Sequence, residues 1–481
     1  MSPTLYWHDY ETFGAEPRHD RPAQFAGLRT DSELNPIGAP LCLYCQPAPD
    51  YLPAPEACLI TGILPQTAQE RGVCEAEFAA RIQAELAQPG TCGVGYNNLR
   101  FDDEVTRFLF WRTLRDPYAR EWAQGNTRWD LLDTARALRL LRPEGIEWPE
   151  DEDGVPSFRL EALTAANGIE HSDAHDALAD VQATVALARR LRQAQPRLWD
   201  WLFVGRTREE AAGRIDMERQ SVVLHVSSRF PARLGAAAPM IPLDVHPVKR
   251  NTVIAFDLRH DPAALIELEP DAIRERLYTP TAELPEGVER IPLKEIHLNK
   301  APVLAPGRLL REAAISERLA ADPALIEKHW RQLRAHSPQL RAKLAQVYAP
   351  SERESPPRDV DEALYEGFID REDRQELERL LRLSPVQLAQ ARPRLRDPRL
   401  PELLFRYRAR NFPSTLTGEE QARWQGHCRE RLGPDGPQGG FEAFQARLYA
   451  LRAAPEATGE TWMILDGLDA YAEHLRREMG A

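Results

Sequence analysis

Lysine is almost missing from this chain: Lys249, Lys294, Lys300, Lys328 and Lys343 are the only ones, so arginine supplies the rest of the 61 basic residues. Guanidinium groups suit bidentate phosphate contacts, but the chain is also rich in Ala, Pro and Leu, and a genomic composition bias accounts better for the excess. A positive balance is missing too, with 74 acidic residues giving a net charge of −13. Such a balance does not exclude an anionic partner, because a basic groove can be local. Cysteine is scarce, at six residues. One pair, Cys42-Leu43-Tyr44-Cys45, has C-x-x-C spacing, but no second pair follows at zinc spacing and no helix start follows as in a redox dithiol, so Leu41 to Cys45 reads as a plain strand. The N-terminal run Met1 to Trp7 lacks a basic region and a long apolar stretch, and nothing later would span a membrane. A reducing cytoplasm is the expected address. No repeat occurs at solenoid spacing.

What is present is enough chain for about three domains, with an apolar fraction ordinary for globular proteins. Strand and helix signals alternate to roughly residue 190, as in an α/β domain with a mixed sheet. Gln195-Pro196-Arg197 begins a connection, and short β-rich runs such as Ser221 to Val226 and Thr252 to Phe256 then recur between turns. Pro350 to Arg358 is a polar, proline-rich break. Beyond it, Arg371 to Arg382, Glu419 to Arg431 and Phe441 to Ala453 have helical periods. The expected division is 1–192, 196–349 and 352–481.

Five residues carry the chemistry. Leu5 to Phe13 reads as a strand, where side chains two apart share a face, so Asp9 and Glu11 point together. Thr91 to Asn97 reads as a second strand, and Asp102 lies just beyond it, near the start of an amphipathic helix marked by Val105, Phe108, Leu109 and Arg112. Ser172-Asp173-Ala174-His175 is cap-like and precedes a helix with Val181, Val185, Ala188 and Leu191 on its apolar side. That places His175 at the helix mouth and Asp180 about a turn inside. Each motif alone is weak, but three in order, each at an element end, suggest one cleft. Four carboxylates held close resist joint ionisation, so such a site needs divalent cations.

These motifs resemble the DEDDh branch of the DnaQ-like 3′–5′ exonucleases, and the wider chain is similar to the bacterial exonuclease I family. The runs that carry the likeness are His8 to Gly14, Asp20 to Phe25, Leu59 to Ile63, Gly95 to Glu104, Pro156 to Glu161, Asn167 to Asp180 and Tyr407 to Pro413. The last lies far outside the catalytic motifs, which favours exonuclease I over shorter relatives of the superfamily. The resemblance implies a DnaQ/RNase H-like exonuclease domain with a mixed sheet, an SH3-like β domain and a mainly helical C-terminal domain. It implies Asp9, Glu11 and Asp180 as direct ligands of two Mg²⁺ about 3.5–4 Å apart, with Mn²⁺ able to substitute. Asp102 resembles the fourth carboxylate, acting through water, and His175 the general base, its ordinary pKa of about 6.5 suiting that task. No departure from the family pattern appears at these five positions.

Candidate substrate contacts are Glu11, Phe158 and Arg159, an aromatic beside a guanidinium in a loop, with Arg107, Trp122, Arg136 and Arg142 as further basic and aromatic groups. Thr61, in Ile60-Thr61-Gly62-Ile63, belongs to a stretch resembling the loop that receives the 3′ nucleotide, where glycine permits close backbone approach. Phe405 to Phe412 interleaves aromatics and arginines and has two readings: a strand-binding surface, or a helix that buries Phe405, Tyr407 and Phe412 and solvates the arginines. Glu150 to Asp153 reads as a solvated acidic loop. The family implies single-stranded DNA and the acidic tail of single-stranded-DNA-binding protein as partners of a monomeric enzyme. A 3′–5′ exoribonuclease and a non-catalytic repair scaffold are the alternatives.

Overall fold

A computed structural model of the protein describes residues 3–171, 175–350, 358–437, 439–455 and 457–479. Ser172 to Ala174 of the cap-like stretch and most of the proline-rich break lie outside them. In chain order, strands β1 (Thr4–Thr12), β2 (Pro22–Thr30) and β3 (Leu41–Tyr44) precede helices α1 (Pro55–Thr61), α2 (Pro65–Arg71) and α3 (Glu75–Leu86). Strand β4 (Thr91–Gly95) leads into α4 (Asp102–Arg112), and β5 (Thr127–Asp130) leads into α5 (Leu131–Leu141), α6 (Leu160–Ala166) and α7 (Ala177–Ala194). The chain forms two compact units. One comprises Met1–Thr127, His171–Val185 and Pro356–Ala481, the other Arg128–Glu170 and Ala186–Ser355.

In the first unit β1 lies between β2, to which it is antiparallel, and β4, to which it is parallel. Strand β3 extends the sheet beyond β2. The alternation of β1 divides its side chains. Tyr6 and Tyr10 join Phe25 and Leu43 in a core closed by Phe78, Ile82 and Leu86 of α3 and Val105, Leu109 and Phe110 of α4. Asp9 and Glu11 therefore project from the opposite face.

The C-terminal part of this unit is helical as expected, and its helix starts are encoded locally. Ser384 with Gln387 and Thr417 with Glu420 form capping boxes before Pro385–Gln390 and Gly418–Leu432. Phe405, Trp424, Phe444 and Leu468 pack with Phe13, Tyr51 and Leu52, while Leu377, Leu403 and Tyr407 pack with Phe108 and Trp111. The arginine-aromatic run is helical within Leu400–Asn411. Phe405 and Tyr407 are buried there, but the arginines are not solvated. Arg406 donates to Asp359 and Glu402, Arg408 to Glu420, and Arg410 to Asp50 and Asp361. Both sequence readings thus missed the same point: apart from Glu402 of the same helix, the arginine partners are acids brought in from elsewhere in the unit.

The second unit holds an antiparallel sheet of β6 (Val223–Val226), β7 (Ala237–Val245), β8 (Thr252–Asp257), β9 (Leu293–His297) and β10 (Val303–Pro306), in the order β10-β6-β7-β8-β9. Val223, Ala238, Met240, Ala255, Ile296 and Leu304 form its core. The expected connection after Gln195 is instead helical over Pro196–Val204 and Arg208–Gly213. Proline at the first helical position needs no donor there, so Pro196 starts a helix rather than breaking the chain.

Candidate active site

Every one of the five sequence-singled residues belongs to the first unit. Strand β1 sets Asp9 opposite Ala26 of β2 and Glu11 opposite Gln24. Asp102 occupies the first turn of α4, and its Oδ1 accepts the backbone N–H of Tyr10 at 3.0 Å, so the helix start is fastened to β1 between the two strand carboxylates. Thr106 Oγ1 donates to the Asp102 carbonyl at 2.8 Å, holding that turn closed. Asp180 lies in the first turn of α7. His175, two residues before that helix, is exposed and has φ +70°, a left-handed conformation that a side chain rarely adopts without external constraint.

The arrangement brings donor atoms of Glu11, His175 and Asp180 within 4.8 Å of one another. Asp9 and Asp102 act on the same group electrostatically. Burial pushes the Asp9 carboxyl well above its ordinary range, and Asp102, Glu11, Asp180 and Asp176 push it further. Glu11 is pushed up to about 8, first by burial and then by Asp180, Asp102 and Asp176. The strongest charges acting on both are other carboxylates. A chain that folds to this arrangement needs counter-charge from outside, and oxygen donors with one imidazole and no thiolate suit hard divalent cations.

The structure adds one residue that sequence reasoning overlooked. His171 Nε2 lies 2.5 Å from Asp180 Oδ1, with its ring nearly buried. A histidine nine residues before an aspartate has no recognisable spacing.

The expected substrate contacts are placed unevenly. Thr61 ends α1, and its Oγ1 accepts the Ile63 N–H at 3.2 Å. The stretch is thus a helix terminus rather than a loop. Gly62 has φ +68° and caps the helix in a left-handed conformation, with open space where a Cβ would stand. Trp122 is 67% exposed. Arg107 is buried, gripping Glu121 through Nε and a terminal nitrogen at 2.7 and 2.9 Å and Glu104 at 2.6 Å. In the second unit, the Arg136 guanidinium lies over the Phe158 ring at 5.6 Å and donates to Asp133. Arg142 pairs with Glu312 at 2.9 Å, and Arg159 is exposed just before α6. The acidic loop is indeed solvent-exposed over Asp151 to Asp153.

Known proteins give this geometry its class. Residues 6–188 match the family model described as Exonuclease, 206–350 the Exonuclease I SH3-like domain, and 358–475 the Exonuclease I C-terminal domain. Exodeoxyribonuclease I of Escherichia coli strain K12 is 48% identical over 472 residues, 98% of each chain. The zinc-bound form of an E. coli ExoI–ssDNA complex superposes with a TM-score of 0.93 at 45% identity, covering 99% of this chain and 100% of that one. An ExoI/SSB-Ct complex gives 0.92 at 45% identity, with 99% and 100% covered. The class defined by fold and site is a metal-requiring exonuclease with SH3-like and helical domains appended. The chain belongs to the exonuclease I family.

Proposed function

We propose that this chain is a 3′–5′ exodeoxyribonuclease that removes nucleoside 5′-monophosphates from single-stranded DNA and serves DNA repair and recombination. The observation that carries the reading is the convergence of Glu11, His175 and Asp180, with Asp102 and Asp180 among the acids that raise the neighbouring Asp9 and Glu11 carboxyls. Asp9, Glu11 and Asp180 would hold two Mg²⁺ ions, with Mn²⁺ substituting. When bound, such ions supply an activated water and stabilise charge on the leaving 3′ oxygen. Asp102 keeps α4 docked on β1 and completes the acidic set. His175 takes the proton of the attacking water at an imidazole nitrogen, a role its exposure permits.

Among the described residues no helix is long and apolar enough to cross a membrane. We place the enzyme in the cytoplasm as a monomer of three domains, 1–192, 196–349 and 352–481. Phe158, Arg159, Thr61 and Trp122 contact the strand in this reading, whereas Arg107, Arg136 and Arg142 are engaged by Glu104 and Glu121, Asp133 and Glu312. Partners are single-stranded DNA and the acidic tail of single-stranded-DNA-binding protein, by analogy with the complexes of the E. coli relative and the ExoI/SSB-Ct assembly.

Digesting end-labelled single-stranded DNA and RNA of one sequence, with and without Mg²⁺, tests the reading. Mg²⁺-dependent release of monophosphates from the 3′ end of DNA is the expected result, with blunt duplex a poor substrate. Preference for RNA would favour an exoribonuclease. Binding without cleavage would indicate a scaffold.

A further inference from the structure

Glu11 has a neighbour on β2 whose side chain is buried, polar and fully engaged. Gln24, directly opposite Glu11 in the antiparallel register, is 1% exposed. Its Nε2 donates to Asp176 Oδ2 at 3.0 Å and lies 3.6 Å from Cys42 Sγ, and its Oε1 accepts the backbone N–H of Ala177 at 3.2 Å. The two bonds fix which way the amide faces, since only its nitrogen can donate to a carboxylate and only its oxygen can accept from a backbone amide. Asp176, in turn, caps α7: its Oδ1 accepts the N–H groups of Leu178 and Ala179, both at 3.1 Å.

The consequence is geometric. Strand β1 carries Glu11, and α7 carries Asp180 with His175 just ahead of it, so the spacing of these three donors depends on where α7 begins relative to the sheet. Gln24 is bonded to the first residue of that helix and to its capping side chain while standing beside Glu11 in the sheet. Its bonds to Asp176 and Ala177 also hold the chain that follows the left-handed residue His175.

We propose that Gln24, acting through Asp176 and the Ala177 amide, is the positioning residue that sets the distance between Glu11 and the His175–Asp180 pair. It touches neither substrate nor reacting atoms. The inference rests on the nuclease reading above. Its test uses the full-length chain, with cleavage of a single-stranded oligodeoxynucleotide, calorimetric titration with Mn²⁺ alone, and thermal melting, each on wild type and variants.

Gln24→Met keeps the volume and removes both hydrogen bonds. It should lower kcat and weaken Mn²⁺ binding by about 10- to 100-fold, the range typical of residues supporting metal ligands, while KM for DNA changes far less. Gln24→Glu alone should be similarly impaired, because it sets a carboxylate against Asp176. The double variant Gln24→Glu with Asp176→Asn reverses donor and acceptor, keeps the total charge and leaves an oxygen for each backbone amide. It should recover kcat and Mn²⁺ affinity to within a few fold of wild type. If Gln24→Met loses thermal stability alone, with kcat and Mn²⁺ affinity unchanged, Gln24 is a core residue and the proposal is overturned. Failure of the swapped pair to recover, in a protein that melts like wild type, overturns it too. A wild type that binds Mn²⁺ but cleaves no DNA would instead defeat the nuclease reading itself.

Discussion

The first unit buries two groups of carboxylates that behave oppositely. At the site, burial and mutual repulsion raise the Asp9 and Glu11 carboxyls. At Asp50 and Asp361, both fully buried, burial alone would do the same, but Arg410 together with His427 and Arg431 at Asp50, and with Arg21 and Arg406 at Asp361, outweighs it and holds both well below the usual range. Arg410 donates to Asp50 at 3.2 and 2.6 Å and to Asp361 at 3.0 Å, with Arg21 and Arg406 adding bonds to Asp361. Burial is therefore not what makes a carboxylate functional. What separates the groups is whether the chain supplies its own cations. The Asp50–Asp361 group is complete and joins segments of the fold, while the Asp9–Glu11 group is left for an external charge to complete.

Removing one of the proposed metal ligands breaks the comparison most severely. Asp9→Ala and Asp180→Ala should abolish turnover, with DNA binding in Ca²⁺ retained and the fold intact. In metal-free buffer either variant should melt no lower than wild type, because one of several repelling charges is gone. Oligonucleotide digestion, Ca²⁺ gel shifts and melting curves check this, and ordinary Mg²⁺-dependent cleavage by either variant would sink the two-metal assignment.

Next in size, His175→Ala should slow turnover by about 10² to 10⁴, the usual range for a lost general base, with Mn²⁺ binding changed far less. A pH–rate profile lacking an ionisation near neutrality, together with near-full activity of the variant, would make His175 a structural residue.

At the other group, Arg410→Met leaves Asp50 and Asp361 with only their lesser partners, so the chain should lose about 3–5 kcal/mol of stability, measurable by urea unfolding. The molecules that remain folded should cleave DNA with unchanged dependence on Mg²⁺. A variant as stable as wild type would show that Arg431 and His427, near Asp50, suffice.

The smallest effect is in pH. The folded-state value of Glu11 is raised, so its favourable contribution is complete below the ordinary glutamate value near 4.5 and is lost as pH rises through about 8. Metal-free protein should therefore melt progressively lower across that interval, and Mn²⁺ should flatten the decline. Asp50 and Asp361 have lowered values, so their contribution is present above the ordinary aspartate range and is lost only in stronger acid. A melting temperature that rises with pH between 4.5 and 8 in EDTA would contradict the assignment.

The site was legible because its logic is local. Alternation along β1 sets the face of Asp9 and Glu11, and helix starts place Asp102 and Asp180, all within a few residues of each motif. The arginine run was not. Whether Arg406, Arg408 and Arg410 meet water, phosphate or an acid depends on Asp359, Asp361, Glu420 and Asp50, and Asp50 stands 360 residues from Arg410. His171 was hidden because its spacing from Asp180 matches no recognisable pattern, and Gln24 because a lone glutamine inside a strand carries no signal until the helix start it bonds is in view. The helices over Pro196–Val204 and Arg208–Gly213 were lost to a proline taken as a break.

That long span has a consequence for how the enzyme comes into being. Strand β1, bearing Asp9 and Glu11, leaves the ribosome well before Arg410 of the same unit, and the stretch from residue 127 to residue 410 takes roughly 15–60 s to synthesise at ordinary elongation rates. During synthesis the acidic strand waits beside an unfinished neighbour, with Asp50 still lacking the guanidinium that neutralises it. The ion pairs of Arg410 with Asp50 and Asp361 are therefore a late step in the assembly of the unit that holds the acidic site.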